Sequence, residues 1–354
     1  MQKVIYSVHM YILLILSTGF MVHVLLHPVV LTSSHRDAWV SVIGSFVPFI
    51  IWTILIFFLY KKYEQKNIFT LIFSLPPWIS YGISMIFGIY FFLTAFISFK
   101  YTIYWANANY TFNIPNFMIA LLFAFLCYYA THKGIGVIGA IGFFLLPFVV
   151  IFGLLVGIGN MKNKDHSMLF PIFEHGYRHF LHGMMYTCAA LFETIYFLFL
   201  TPYLKNRINM KMFLMVAIMI FLLTLGPLIG GITEFGAEEA EKMKVLAYEQ
   251  WKLLTLGTHI TRLDFLSIYQ WFSGAFIRVC LSMFLVNQLF FRKKNRWFLP
   301  FLYALLTISV VIPWDFESFY SFLYSIYFPA SLIFLLFSFG LLLLLSRIKG
   351  DVHE

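Results

Sequence analysis

Residues 183–204 read GMMYTCAALFETIYFLFLTPYL, an apolar run long enough to cross a bilayer, with one acidic residue, Glu193, near its middle. A transmembrane helix needs about 20 mostly apolar residues, and a charge at the bilayer centre costs about 2.5–3.5 kcal/mol even on lenient insertion scales. Charged residues in such positions face the interior of a helix bundle and mark functional sites. The run therefore predicts a membrane-spanning helix that brings a polar group into the bundle.

The composition extends this prediction to the whole chain. Hydrophobic residues make up 61% of the 354 residues, charged residues only 11%, and the mean hydropathy is +0.86. A soluble domain carries about 25% charged residues. We therefore predict an all-α integral membrane protein in which residues 1–354 form a single transmembrane domain.

About ten spans can be counted from the apolar runs between short polar breaks. Their predicted limits are 8–31, 38–60, 70–98, 114–131, 135–159, 183–203, 210–233, 261–290, 297–314 and 318–346. Lys and Arg concentrate in alternate connections, which places both the N-terminus and the C-terminus in the cytoplasm. This topology explains the net charge of +9, so nucleic-acid binding is not needed to account for it.

A second charge, Arg278, lies deep in the eighth predicted span. Arginine does not lose its proton in proteins, so this side chain needs an anion, carbonyl oxygens or water around it. We predict a fixed internal cation; the alternative is a side chain that extends along the helix to the inner interface. Because Arg278 lies further towards the inner side than Glu193, a direct salt bridge between the two is not implied.

Span one contains a polar interruption, Ser17-Thr18-Gly19, near its middle. Broken helices at corresponding places in two halves of a transporter form ligand sites near the bilayer midplane. The alternative interpretation is a contact where small residues let two helices pack closely. The candidate ligand-binding residues are Ser17, Thr18, Gly19, Tyr90, Glu193, Thr194 and Ser273.

The predicted outer connections add a cap and a histidine-rich segment. Glu238 and Lys242 lie four residues apart, a spacing that supports a short surface helix within 234–256. His175 and His179 offer the best case for an enzyme, but no convergent acids accompany them. No nucleotide-binding or nucleophile motif is present, so neither enzymatic activity nor a cofactor or metal is predicted.

Short motifs in chain order give a resemblance to a known family. Phe235-Gly236, Glu239 and Ala240 precede Ile260-Thr261-Arg262-Leu263-Asp264 and Trp271. Gly19, Pro28 and Arg36-Asp37-Ala38-Trp39 lie in and after span one, and Glu193 is followed by Pro202. The chain resembles the spore germination permeases, the B subunits of nutrient germinant receptors within the amino acid–polyamine–organocation superfamily. It departs from their pattern at Glu249, where a proline often follows the tyrosine, and at Arg278, where many members carry lysine.

The resemblance implies a LeuT-like fold of five-plus-five inverted repeats, at about 8–159 and 183–346, with spans one and six broken. It also implies residence in the spore inner membrane, a germinant receptor A subunit and a C-subunit lipoprotein as partners, and a small nutrient such as an amino acid as ligand. The expected function is nutrient sensing that triggers germination. Two alternatives remain open: a proton-coupled amino acid permease with Glu193 as the titrating group, and a structural subunit that anchors the A subunit.

Overall fold

The computed structural model describes residues 3–63, 67–174, 176–255, 257, 260–290 and 296–347, and this part of the chain is helical apart from connections and one isolated β-bridge. The α-helices are α1 (Ser7–Phe20), α2 (Leu26–Ser34), α3 (Ala38–Gly44), α4 (Phe46–Tyr63), α5 (Ile68–Ser74), α6 (Pro77–Asn109), α7 (Asn116–Lys133), α8 (Ile135–Gly159), α9 (Tyr177–Leu191), α10 (Tyr196–Leu200), α11 (Met210–Phe235), α12 (Ala237–Lys242), α13 (Leu246–Leu253), α14 (Leu266–Phe290), α15 (Phe298–Val311), α16 (Phe316–Phe322) and α17 (Phe328–Leu345).

Seven helical stretches in the described part of the chain are long and apolar enough to cross a membrane. The first, Ser7–Tyr63, has 57 residues, and the left-handed backbone of His35 (φ 52°) divides it into two runs. Helix α7 has 18 residues with polar ends, and α15 has 14, a length of about 21 Å. The prediction of an all-helical membrane protein is confirmed, whereas the count of ten spans stays a prediction.

Helix α14 forms the centre of the bundle. It packs against α6, α1, α8 and α7, and most of its residues are buried. Helix α8 is the opposite case, because most of its apolar side chains are exposed and only five of its residues are buried, namely Ile135, Ile138, Gly139, Gly142 and Val156. The charge on α14 therefore lies inside protein, and α8 lies at the periphery.

The N-terminal segment is fixed to the connection after α10. The backbone amide of Val4 donates to the Tyr203 carbonyl at 2.9 Å, and that of Lys205 donates to the Ile5 carbonyl at 2.8 Å. Helix α11 starts at Met210 near this contact and runs 26 residues, about 39 Å, to the opposite side of the bundle. We call the two sides the N-terminal face and the α12–α13 face.

The α12–α13 face carries the predicted cap helix as two short helices. Within α12, Lys242 pairs with Glu239, three residues earlier, at 2.7 Å, rather than with Glu238, whose four-residue spacing from Lys242 supported the helix prediction. Residues three and four apart are both neighbours on a helix surface, so the spacing alone does not choose between them.

Candidate functional site

A buried ion pair between α14 and the middle of span six lies at the centre of the bundle. Arg278 Nη1 donates to Glu193 Oε2 at 2.6 Å, and Arg278 Nη2 donates to Glu193 Oε1 at 2.9 Å. Both side chains are fully buried. We call Glu193 and Arg278 the central ion pair. Their different depths along the two helices did not imply this salt bridge and left open whether the two residues interact; the structure shows that they do.

The remaining donors of Arg278 connect the central ion pair to two further helices. Nε donates to Ser98 Oγ of α6 at 2.8 Å, and Nη1 also donates to the Ser17 carbonyl of α1 at 3.1 Å. A guanidinium holds its donors in a rigid planar fork, so these contacts fix both the position and the orientation of the group. Arg278 therefore joins spans one, three, six and eight at one point.

Glu193 lies in a 3₁₀ turn, Phe192–Ile195, that interrupts span six between α9 and α10. A 3₁₀ turn within a helix changes the hydrogen-bonding pattern and frees carbonyl groups. The Phe192 carbonyl accepts a hydrogen bond from Trp52 Nε1 at 3.1 Å. The irregular turn is thus stabilised by a side chain of α4, and it directs Glu193 towards α14.

Two tyrosines complete the surroundings of the carboxylate. Tyr90 of α6 donates to Glu193 Oε1 at 3.3 Å, and Tyr327 donates to the same oxygen at 3.4 Å. Tyr327 ends a π-helical turn, Leu323–Tyr327, just before α17. Glu193 Oε1 therefore accepts hydrogen bonds from α6, from this π-helical turn and from α14.

The geometry is that of a well-bonded buried ion pair. A buried ion pair offsets its desolvation cost only when its geometry is good and its other polar atoms are bonded, and a bidentate arginine–carboxylate pair meets the first condition. Ser98, Ser17, Tyr90 and Tyr327 meet the second. The arrangement fixes the relative positions of five helical segments without exposing a charge to lipid.

The predicted site residues divide into two groups. Ser17, Tyr90, Glu193 and Arg278 meet at the centre, Ser17 through its carbonyl oxygen. Thr18 and Ser273 are buried and lie close in sequence to Ser17 and Arg278, but their side chains take no part in this network. Thr194 Oγ1 donates to the Leu191 carbonyl of its own helical segment at 3.0 Å. Gly19 lines a separate apolar cavity.

Sequence reasoning missed Ser98 and Tyr327. Ser98 belongs to a polar stripe on α6, in which Thr94, Ser98 and Thr102 follow one another at four-residue spacing. Residues at that spacing lie on one face of a helix, so the stripe was a usable signal for a polar contact inside the bundle. Tyr327 lies among many aromatic residues, and nothing in its local sequence distinguishes it.

We predicted that span one is interrupted at Ser17-Thr18-Gly19, but its irregular turn lies further along the chain. Helix α1 continues through these residues, and a π-helical turn follows at Met21–Leu25. Pro28 explains this position, because a proline lacks an N–H and its ring clashes with the carbonyl four residues earlier, here Val24. Pro329 stands in the same relation to Ser325 in the turn Leu323–Tyr327.

No group of three or more His, Cys, Asp or Glu residues that could hold a metal ion exists among the residues that the structure describes. His27 Nε2 makes a 2.8 Å hydrogen bond with the Thr224 carbonyl, as in an ordinary helix contact. Of the two histidines in the enzyme alternative, His175 lies outside the described residues, and His179 Nδ1 is 3.0 Å from the Ser33 carbonyl.

Comparison with known proteins decides the family. The profile of a family described as "Spore germination protein" matches residues 6–319. The chain belongs to the spore germination protein family. It is 34% identical to spore germination protein XB of Bacillus anthracis over 337 residues, which cover 94% of each chain. It is 28% identical to spore germination protein GerQB of Bacillus cereus over 178 residues, 48% of this chain and 47% of the relative.

The RLD motif, which contributed to the resemblance, has a structural role in this spore germination protein. The Asp264 carbonyl accepts hydrogen bonds from Tyr110 Oη at 2.8 Å and from Ser267 Oγ at 2.5 Å. Its carboxylate lies 3.1 Å from Arg262 Nε and 3.5 Å from Tyr248 Oη. Burial raises the pKa of the Tyr248 phenol, which therefore stays protonated and can donate. Asp264 thus ties the start of α14 to α13 and to the end of α6.

Proposed function

We propose that this chain is the nutrient-sensing subunit of a spore germinant receptor. The central ion pair is the observation that carries the proposal, since it joins the irregular turn of span six to spans one, three and eight at the middle of the bundle. Membership in the spore germination protein family supports the same function. The family is a receptor- or transporter-like membrane family rather than an enzyme family.

The ligand that we propose is a small nutrient such as an amino acid, bound between spans one, three, six and eight. The central ion pair offers a guanidinium and a carboxylate side by side, and these match the carboxylate and the ammonium group of an amino acid. Ser17 and Tyr90 would contact the nutrient beside the central ion pair, whereas Thr18, Gly19, Thr194 and Ser273 would reach it only after the bundle rearranges. A nutrient that competes for Arg278 or Glu193 would bind one arrangement of the bundle better than another, which is the condition for a ligand-driven change of state.

The proposed architecture is a LeuT-like fold of ten spans in two inverted repeats, at about 8–159 and 183–346. The irregular turn in span six and the π-helical turn in span one support it, because each interrupts a helix near the centre. The proposed setting is the spore inner membrane, with both termini in the cytoplasm. An A subunit and a C-subunit lipoprotein would then convert the change in this chain into germination.

Nutrient-induced thermal stabilisation of the purified receptor complex tests this proposal. A nutrient that binds the folded protein raises the unfolding temperature with its concentration. We expect an amino acid to do so for the wild-type complex, and we expect the effect to be lost in Glu193→Gln and weakened in Gly19→Ala. An unchanged nutrient response in both variants would place the ligand elsewhere.

A further inference from the structure

An apolar cavity of about 450 Å³ lies between α1, α8, α11, α13 and α14. Gly19 and Phe20 of α1 line it together with Trp271 and Gly274 of α14. Its volume falls within the range of about 300–1,000 Å³ that is typical of small-molecule sites. No part of the proposed nutrient-sensing function uses this space except through Gly19.

The cavity opens sideways, between α8 and α11. Among its lining residues, Val150, Leu154 and Leu222 are 42%, 57% and 58% exposed, although they belong to apolar membrane-spanning helices. A Cβ atom built on Gly157 or on Gly226 would have no atom within 4 Å. Exposed apolar side chains on spanning helices face hydrocarbon, so the cavity is continuous with the lipid phase.

The chemistry of the lining disfavours an amino acid as occupant, because most of the lining side chains are apolar. No carboxylate occurs among the described residues that line the cavity, so an α-ammonium group would enter without a counter-ion. The side-chain amide nitrogens of the two glutamines that line it already donate to backbone carbonyls. Gln250 Nε2 donates to the Pro227 carbonyl at 2.6 Å, and Gln270 Nε2 donates to the Val149 carbonyl at 2.9 Å. The space therefore suits a flexible hydrocarbon chain.

Lys164 is the charged residue in this lining, and it lies in the connection after α8, at the α12–α13 face. Its ammonium group donates to the Gly157 carbonyl at 3.1 Å and forms a longer ion pair with the buried Glu234, at 3.9 Å from Oε1. An ammonium group has three donors, so Lys164 can also bind an oxygen of a phosphate group.

We propose that one acyl chain of a membrane phospholipid occupies the apolar cavity, entering between α8 and α11, with its phosphate group at Lys164. The end of the chain would rest against Gly19 and Gly274. Gly274 lies one helical turn from Arg278, and Gly19 lies two residues from the carbonyl that Arg278 binds. Lipid occupancy is thereby connected to the central ion pair, independently of which nutrient the protein senses.

The test uses the full-length chain in lipid nanodiscs that contain phosphatidylglycerol with a photoreactive diazirine on its acyl chain. After irradiation, mass spectrometry locates the labelled residues. We expect labels on α8 between residues 146 and 157 and on the facing residues Phe20 and Trp271. Labels confined to other exposed apolar surfaces, with none on Phe20 or Trp271, would overturn the proposal.

Gly157→Leu fills the cavity, and Gly340→Leu is its matched control because a Cβ atom at Gly340 also meets open space, on α17. We expect labelling of Phe20 and Trp271 to fall by at least about threefold in Gly157→Leu, because the added side chain takes the volume of the acyl chain. Gly340→Leu should label like the wild type. Equal labelling in both variants would contradict the proposal.

Two further experiments test where the phosphate binds and whether the labelled cavity holds lipid or nutrient. Lys164→Gln should reduce labelling by phosphatidylglycerol, and unchanged labelling would contradict the placement of the phosphate. Free L-leucine added at millimolar concentration should leave labelling unchanged. Displacement of the label by L-leucine would show that the cavity is a nutrient site, and this result would overturn the lipid proposal without testing the central ion pair.

Discussion

The guanidinium group of Arg278 donates a hydrogen bond to the carbonyl oxygen of Ser17 at 3.1 Å. The same Nη1 atom donates to Glu193 Oε2, so the backbone of span one and the acid of span six share one donor group. A movement of either segment changes the hydrogen bonds of the other. This shared contact is the physical basis for proposing that a nutrient bound at the centre changes the whole bundle.

Removing one member of the central ion pair should destabilise the protein strongly. Glu193→Gln leaves the buried guanidinium without a counter-ion, at a cost of about 3–5 kcal/mol. Arg278→Gln leaves the carboxylate unpaired at a similar cost. Thermal unfolding of the purified chain should show a lower midpoint for each variant.

The double variant Glu193→Gln/Arg278→Gln is the control for that experiment. It removes both buried charges, and replacing a buried pair by neutral residues is often neutral for stability. We expect its midpoint to lie above those of both single variants. A double variant as unstable as the sum of the single variants would mean that the two charges act independently.

Ser98→Ala should destabilise the chain by about 1–3 kcal/mol, because it leaves Arg278 Nε buried without an acceptor. Ser84→Ala on the same helix is the matched control. Its hydroxyl is buried and has no hydrogen-bond partner, so its removal should cost little. The thermal unfolding midpoints of the two variants should be compared. Equal midpoints would show that the hydrogen bond from Arg278 to Ser98 does not stabilise the protein.

Gly183→Ala tests the close approach of α9 to α2 and α3. A Cβ atom there would clash with Ser34 Oγ and Ser41 Oγ, so overpacking should cost about 1–3 kcal/mol. Gly82→Ala in α6 meets no atom within 4 Å and should instead stabilise its helix by about 0.5–1 kcal/mol. The signs of the two changes in unfolding free energy should therefore be opposite, and the same sign for both would argue against this contact.

The permease alternative predicts uptake of an amino acid into vesicles by this chain alone, with a pH dependence that disappears in Glu193→Gln. The geometry favours the opposite result. Both carboxylate oxygens of Glu193 already accept hydrogen bonds from Arg278, so a fixed partner within the chain occupies this carboxylate. We expect no pH-dependent uptake of radiolabelled amino acid, and its detection would support transport.

The sequence predicted some helices closely but not all of them, and not the contacts between them. The third span, predicted at 70–98, is broken after Ser74 and continues as α6, Pro77–Asn109. Apolar length predicted α8 at 135–159 with the observed bounds, and α11 within two residues at its end. The central ion pair depends on how far α14 and span six slide and rotate against each other. The packing of many side chains sets this sliding and rotation, and the spacing of residues within one helix does not predict either.

Pro28, and not Gly19, is the residue whose position in the sequence indicates the irregular turn of span one. Gly19 suggested a break at 17–19, yet the π-helical turn of span one is set by Pro28, four residues after its member Val24. Proline is not a sufficient signal either, because α8 and α11 contain Pro147 and Pro227 and remain α-helical throughout. Neighbouring helices decide whether the freed carbonyl is accommodated within the helix.

The most direct test of the nutrient-sensing account is the nutrient dose–response of germination in spores that carry Glu193→Gln/Arg278→Gln. Release of spore contents should be measured against nutrient concentration, with immunoblotting to show that the variant receptor reaches the wild-type level. We predict that these spores contain the receptor but fail to respond to the nutrient. A wild-type dose–response in the double variant would contradict nutrient sensing through the central ion pair, and it would favour a subunit that only anchors its partners.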